Sequence, residues 1–180
     1  MTTLSQLSGT YTLDPAHSRL GFVARHAMVT KVRGSFDEFS GEAVTGPGLA
    51  DARIAVTIQV ASVDTRNDDR DAHLRTGDFF DAAQYPTIEF VSTSVAALDE
   101  ETLRVAGDLT IKGTTQPVTI DFAYAGSATD PYGHERLGFE GSTTVNRKDF
   151  GLSYNAALEA GGVLISEKIT LEFELSAIKA

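Results

Sequence analysis

Residues 103–111 read Leu-Arg-Val-Ala-Gly-Asp-Leu-Thr-Ile, and residues 118–124 read Val-Thr-Ile-Asp-Phe-Ala-Tyr. In the first stretch Leu103, Val105, Leu109 and Ile111 oppose Arg104, Asp108 and Lys112, and in the second Val118, Ile120, Phe122 and Tyr124 share one face. A period of two is the mark of a strand with one buried and one wet face. Gly113-Thr114-Thr115-Gln116 between them is a turn signal. Strands of this kind pair antiparallel, and the apolar face must be covered or enclosed.

The same pattern extends in both directions. Ile54, Val56, Ile58 and Val60 oppose Arg53, Thr57 and Gln59; Ile165, Ile169, Leu171, Phe173 and Leu175 oppose Lys168, Thr170, Glu172 and Glu174. A short strand at Thr10–Leu13 meets the turn Asp14-Pro15, and the next carries Leu20, Phe22 and Ala24 on one face. Further strands fall near Phe36–Val44, Arg53–Val63, Thr87–Val95 and Leu137–Val145, with turns at Gly46-Pro47-Gly48 and Asp99-Glu100-Glu101. About eight or nine short strands at hairpin spacing predict an all-β sandwich or barrel. Crossover helices are missing, which disfavours a parallel sheet. The one interruption is the polar stretch 66–84, which reads as one or two short helices ending before Pro86, a lid or flap between strands.

Composition narrows the function. The chain of 180 residues, 42% hydrophobic, is expected to form one domain with a real core. Its 25 acidic against 15 basic residues give a net charge of −10, which argues against a nucleic-acid partner. Without cysteine there is no disulfide, thiolate nucleophile or Cys-based metal site. The first residues lack the basic and apolar regions of a secretory signal, and no run approaches the ~18 apolar residues of a membrane span. The expectation is a soluble, cytoplasmic protein with no membrane span.

Chemical motifs are weak. Asp149-Phe150-Gly151 matches the metal-binding tripeptide of kinases but lacks every companion motif. Asp68, Asp69, Asp71 and His73 lie close together without the glycine and terminal glutamate of a calcium loop, and read as a solvated acidic helix. The four histidines, His17, His26, His73 and His134, lack metal spacing, so no metal or cofactor is expected. Glu167, in register with Ile165 and Ile169, reads as a carboxylate at a barrel mouth paired with an arginine rather than as a general acid.

A barrel of about eight strands is either filled by side chains or holds one small ligand. Ser92, Ser94 and Ala96 continue the face of Ile88 and Phe90; Gly141 and Thr143 continue that of Leu137 and Phe139; Gly107 interrupts its own apolar row. Two readings stand side by side: a tapering apolar cavity, or small residues that accommodate twist and bulges in a filled barrel.

Taken together the motifs resemble the YceI-like family of polyisoprenoid-binding proteins. The residues that carry the resemblance are Asp14-Pro15-Ala16-His17-Ser18 with Gly21-Phe22, Val32-Arg33-Gly34-Ser35-Phe36, and Ser62-Val63-Asp64-Thr65. They continue through Arg70-Asp71-Ala72-His73-Leu74, Asp78-Phe79-Phe80-Asp81, Tyr85-Pro86, Ile88-Glu89-Phe90 and residues 107–113. Pro117-Val118-Thr119 and residues 146–151 complete the series, in family order over nearly the whole chain. Two departures stand out: Tyr11 occupies a position where relatives often carry Trp, and periplasmic relatives carry a leader.

The resemblance implies a lipocalin-like antiparallel β-barrel, usually a homodimer, whose tunnel holds a long isoprenoid or similar amphiphile such as an isoprenoid quinone or precursor, a polyprenyl phosphate or a fatty amide. The expected role is non-catalytic carriage or sequestration, with transport or stress response as settings. Phe22, Phe36, Phe79, Phe80, Phe90, Leu109, Phe122 and Phe139 become tunnel-wall candidates. His17, Arg70, Asp71, His73, Arg147 and Asp149 match polar family positions and form either a structural network or a head-group site; the structural network ranks first. The alternatives are an isomerase or hydrolase using His26, Ser92 and Thr143, and an interaction module with a filled barrel.

Overall fold

The computed structural model describes residues 1–158, 162 and 164–180. Among these residues eleven strands and one short α-helix follow in order: β1 (Gly9–Leu13), β2 (Arg19–His26), β3 (Thr30–Phe36), β4 (Phe39–Thr45), β5 (Arg53–Gln59), β6 (Val63–Asp64), α1 (Asp68–Leu74), β7 (Thr87–Ala97), β8 (Thr102–Ile111), β9 (Thr114–Thr129), β10 (Glu135–Asn146) and β11 (Lys168–Lys179). The order β1-β4-β5-β7-β8-β9-β10-β11 closes through β1–β11 pairing into an eight-stranded antiparallel barrel. Closure pairs both sides of the eight-stranded wall, and the open edge is confined to β3, which lies beyond it and pairs with β6 only at Ser35 and Phe36.

One barrel position is shared. β11 pairs with β1 through Ala177–Lys179 and with β2 through Thr170–Glu174. The break between β1 and β2 is the turn Pro15–His17, where the Asp14 carboxylate accepts from Ala16 N–H and proline removes a ladder donor. β2 then carries β3 and the two-residue β6 beyond the closed part of the wall, toward α1.

Two core clusters occupy opposite ends. One gathers Leu4, Leu7, Tyr11, Leu103, Val105, Ile120, Phe122 and Leu137; here the N-terminal segment plugs the barrel, Leu4 fully buried. The other gathers Phe36, Val60, Val63, Phe79, Ile88, Leu109, Phe150 and Leu152, beneath α1 and the turns that follow it. Among the described residues no helix is long and apolar enough to cross a membrane.

Several sequence expectations are corrected. The predicted strand Arg53–Val63 ends at Gln59, because a tight helical turn at Val60–Ser62 separates β5 from β6. Stretch 66–84, expected to hold one or two short helices, holds one, α1, followed by turns. β7 does not keep one face throughout: a register shift between Ser92 and Ser94 turns Val95 into the core and leaves Ser94 and Ala96 outside. One extra residue in a strand exchanges its two faces. Ser92 meets the irregularity by accepting Ile54 N–H at 2.8 Å. Glu167 lies one residue before β11, exposed, and pairs with Lys148 at 2.8 Å rather than with an arginine.

Candidate functional site: an apolar barrel cavity

A cavity of about 330 Å³ runs between the two clusters, within the range of small-molecule sites. All eight tunnel-wall candidates, Phe22, Phe36, Phe79, Phe80, Phe90, Leu109, Phe122 and Phe139, line it. Inward residues of β5 and β11 complete the wall, including Ile54, Val56, Leu171 and Phe173. Their alternation already marked them in the sequence as an apolar face. Leu7 and Val95, also in the wall, carry no such signal: Leu7 lies outside any strand, and Val95 changes face at the bulge.

The small residues work differently from a simple taper. A side-chain carbon on Gly34 would lie 2.3 Å from the Phe22 ring, on Gly107 2.4 Å from the Phe90 ring, and on Gly141 2.7 Å from the Phe122 ring. Each glycine therefore makes room for a phenyl ring laid across it from the neighbouring strand, and the rings in turn form the wall. Gly107 and Gly141 shape the cavity through the aromatics they admit, not by leaving space empty.

The end beneath α1 is aromatic. Phe36 bridges Phe22 and Phe80 with ring centroids 5.7 Å apart in each pair. His73, Phe79 and Tyr154 form a second edge-to-face group at 5.0–5.1 Å. Such pairs add about 0.5–1.5 kcal/mol each beyond burial.

The polar signature residues separate into distinct groups. Asp71, buried on α1, accepts from Thr65 N–H at 2.8 Å and Thr65 Oγ1 at 2.6 Å, while Arg70 donates to the same Thr65 through Nε and to its carbonyl, both at 2.7 Å. His73 bonds Asp78 at 2.8 Å. These three residues fasten α1 to the chain before it and the turns after it.

Arg147 lies in the turn Arg147–Phe150 and is only 5% exposed. It donates to the carbonyls of Ser166 at 2.8 Å, Leu152 at 2.5 Å and Ile165 at 3.4 Å, which ties Leu152 to Ile165 and Ser166. Burial pushes its pKa down, and the attraction of Glu167 offsets part of that. Glu42 and Arg53 also border the cavity but are exposed, which leaves Arg147 as the buried charge in its wall among the described residues. Asp149 is exposed, and its carbonyl accepts from Gln116 Nε2 at 3.1 Å.

His17 sits elsewhere, exposed, bonded to Asp14 at 2.7 Å. Asp14 also receives Arg136 at 2.6 Å, and Arg136 reaches Asp130 at 2.8 Å, so one guanidinium joins the β1–β2 turn to the β9–β10 hairpin. The Arg136 guanidinium leads the causes that hold the Asp14 carboxyl low, and the backbone N–H of His134 leads those that hold Asp130 well below the usual carboxylate range.

His26, Ser92 and Thr143 lie on β2, β7 and β10. The Ser92 hydroxyl serves Ile54 N–H, and the Thr143 hydroxyl donates to the Thr119 carbonyl at 3.3 Å. His26 is exposed at the end of β2, where its backbone bridges Ile165.

An eight-stranded antiparallel barrel enclosing an apolar cavity defines a lipocalin-like binding fold. The chain belongs to the YceI-like domain family, whose pattern matches residues 11–177. A UPF0312 protein of Staphylococcus aureus strain MSSA476 is 40% identical over 170 residues, covering 93% of this chain and 95% of the relative. The crystal structure of Burkholderia cenocepacia BcnA superposes with a TM-score of 0.78 at 26% identity, covering 91% of this chain and 98% of that one. A polyisoprenoid binding domain from Saccharophagus degradans, implicated in plant cell wall breakdown, shares the fold at TM-score 0.71 and 19% identity, over 94% and 98% of the two chains.

Proposed function

We propose that the protein binds one long apolar chain of isoprenoid class in the barrel and carries or sequesters it without chemical change. The carrying observation is the wall: a cavity of about 330 Å³ lined by aliphatic and aromatic side chains, with Arg147 as its buried charge already held by three carbonyls. A prenyl chain suits such a wall because each buried CH₂ contributes roughly 0.8 kcal/mol relative to water. Ordering of the chain and competition from the bilayer offset much of that sum. The polyisoprenoid-binding domain of the same fold supports the ligand class. The engaged hydroxyls of Ser92 and Thr143 support carriage over catalysis.

Native mass spectrometry of freshly purified protein, followed by organic extraction, tests this. A stoichiometric prenyl lipid recovered unchanged is the expected result, and Val105→Phe, which adds a ring at a buried wall position, is expected to reduce its occupancy. Protein that stays empty when offered polyprenols, quinones and fatty amides would overturn the reading, as would a chemically altered lipid.

A further inference from the structure

The β2–β3 hairpin departs from the rest of the chain in charge, exposure and backbone. From Ser18 to Phe36 there is no Asp or Glu, while Arg19, Arg25, Lys31 and Arg33 all fall within it, in a molecule of net charge −10. Arg25, Lys31 and Arg33 make no ion pair among the described residues. At the tip, Met28 is 61% and Val29 73% exposed, among the most exposed large apolar side chains of the protein.

The turn leaves Val29 the more exposed of the two, while Met28 lays its sulfur against Gly162. Ala27 and Met28 lie at φ +50° and +65°, and Val29 N–H donates to the His26 carbonyl at 3.1 Å. Two successive left-handed residues make a hairpin turn that Asn and Gly adopt readily and that Ala and Met adopt with strain. The tip is braced where Ala27 N–H donates to the Leu164 carbonyl at 2.7 Å. It also adjoins the cavity. Ala24 and Ile165 line the cavity wall, Ala24 stands two residues before the His26–Val29 turn, and Ile165 bridges His26.

From this we infer that the β2–β3 tip is a membrane-docking element: Met28 and Val29 insert among the acyl chains at a bilayer surface bearing anionic head groups, while Arg25, Lys31 and Arg33 meet those head groups. The inference rests on lipid carriage. A carrier that opens at the bilayer spares its cargo a passage through water, and the end bearing this tip is the aromatic one. The negative remainder of the molecule is repelled by the same surface, which orients the barrel with this end down. Each cation near an anionic surface strengthens binding about fivefold, and the effect is screened by salt.

Vesicle flotation tests it, using phosphatidylcholine alone and phosphatidylcholine mixed with phosphatidylglycerol. Wild-type protein is expected to float with the mixed vesicles, less with the neutral ones, and less at high salt. Lys31→Ala and Arg33→Ala should each weaken binding about fivefold, and Met28→Asp/Val29→Asp should abolish it. Thermal melting checks that the variants fold; the exposed Lys31 and Arg33 substitutions keep the test decisive where the double variant does not. Wild-type protein that ignores the mixed vesicles, or variants that bind them equally well, would overturn the inference. So would light scattering showing that tip variants lose a dimer while vesicle binding is unchanged, since the tip would then contact a second copy.

Geranylgeraniol separates this outcome from that of lipid carriage. Delivered in ethanol it should load wild type and variants alike by native mass spectrometry, whereas delivered in vesicles it should load the variants more slowly. No loading by either route would defeat lipid carriage, and flotation would still decide the docking.

Discussion

The two ends of the barrel are closed by different chemistry. At one, Leu4 and Leu7 from the N-terminal segment are buried in the core, and Thr2 and Tyr124 tie that segment down by hydrogen bonds. At the other, Phe79 and Phe80 in the turns after α1 pack on Tyr154 and Phe36 over the cavity, with α1 fastened through Asp71 to Thr65 and Arg147 bonded to Leu152, Ile165 and Ser166. A plug of aliphatic side chains is continuous with the core and opens only as the core does. A cover of rings on a seven-residue helix and turns, fastened by a few hydrogen bonds, is the kind of unit that opens locally at lower free energy. Under the proposed lipid carriage, the aromatic end is therefore the expected route of ligand entry.

Arg147→Ala should show the largest effect. It strips the Leu152 and Ser166 carbonyls of their charged donor, while Ile165 keeps its bond from Asn155 Nδ2, at a cost of about 3–5 kcal/mol in all. Thermal denaturation should fall accordingly, with no selective loss of phosphorylated over neutral prenyl lipid. Selective loss at unchanged stability would make Arg147 a head-group residue and recast the aromatic end as a binding site.

Leu4→Ala probes the plug and should cost about 3 kcal/mol as a fully buried leucine. Denaturation midpoints should drop while ligand exchange, measured on folded protein, keeps its rate. Faster exchange in this variant would place an entrance at the plugged end and break the comparison.

Asp71→Asn tests the cover, and should cost about 1–2 kcal/mol because the two bonds from Thr65 lose their charged acceptor. Amide exchange should rise across residues 65–85 more than in the N-terminal segment. Equal protection at both ends would argue that the cover is no looser than the plug.

The smallest effect concerns pH. Asp14 and Asp130 have pKa values lowered in the folded state. They therefore bind protons more readily when unfolded, and their stabilisation is complete above the ordinary carboxylate value near 4. It is lost progressively as pH falls below that value toward their folded-state pKa. Arg136→Ala should flatten the acid limb of the stability profile, followed by denaturant titration between about pH 5 and pH 2. An unchanged limb would show that this cluster, which stands apart from the cover, contributes little to acid sensitivity.

The cavity wall was legible because alternation survives intact along most strands. Phe22, Leu109, Phe122 and Phe139 sit in rows whose period is unbroken up to the wall. The outward faces of Ser94 and Ala96 were not legible, because a bulge leaves no mark in composition and one inserted residue reverses every face beyond it. The signature polar residues were found as a set but not as separate fasteners, since spacing along the chain does not show that His17 joins Asp14 and Arg136 while Asp71 turns to Thr65.

By itself, then, the sequence determined the class of architecture, the inward rows and the family, because strand period and turn residues are local properties that each segment carries alone. Only the tertiary structure decided that phenyl rings lie across glycines on neighbouring strands, that Leu4 and Leu7 fill one end, and that Arg147 serves three carbonyls. These depend on which strands meet and in what register, and barrel closure, a long-range property of the whole chain, sets both.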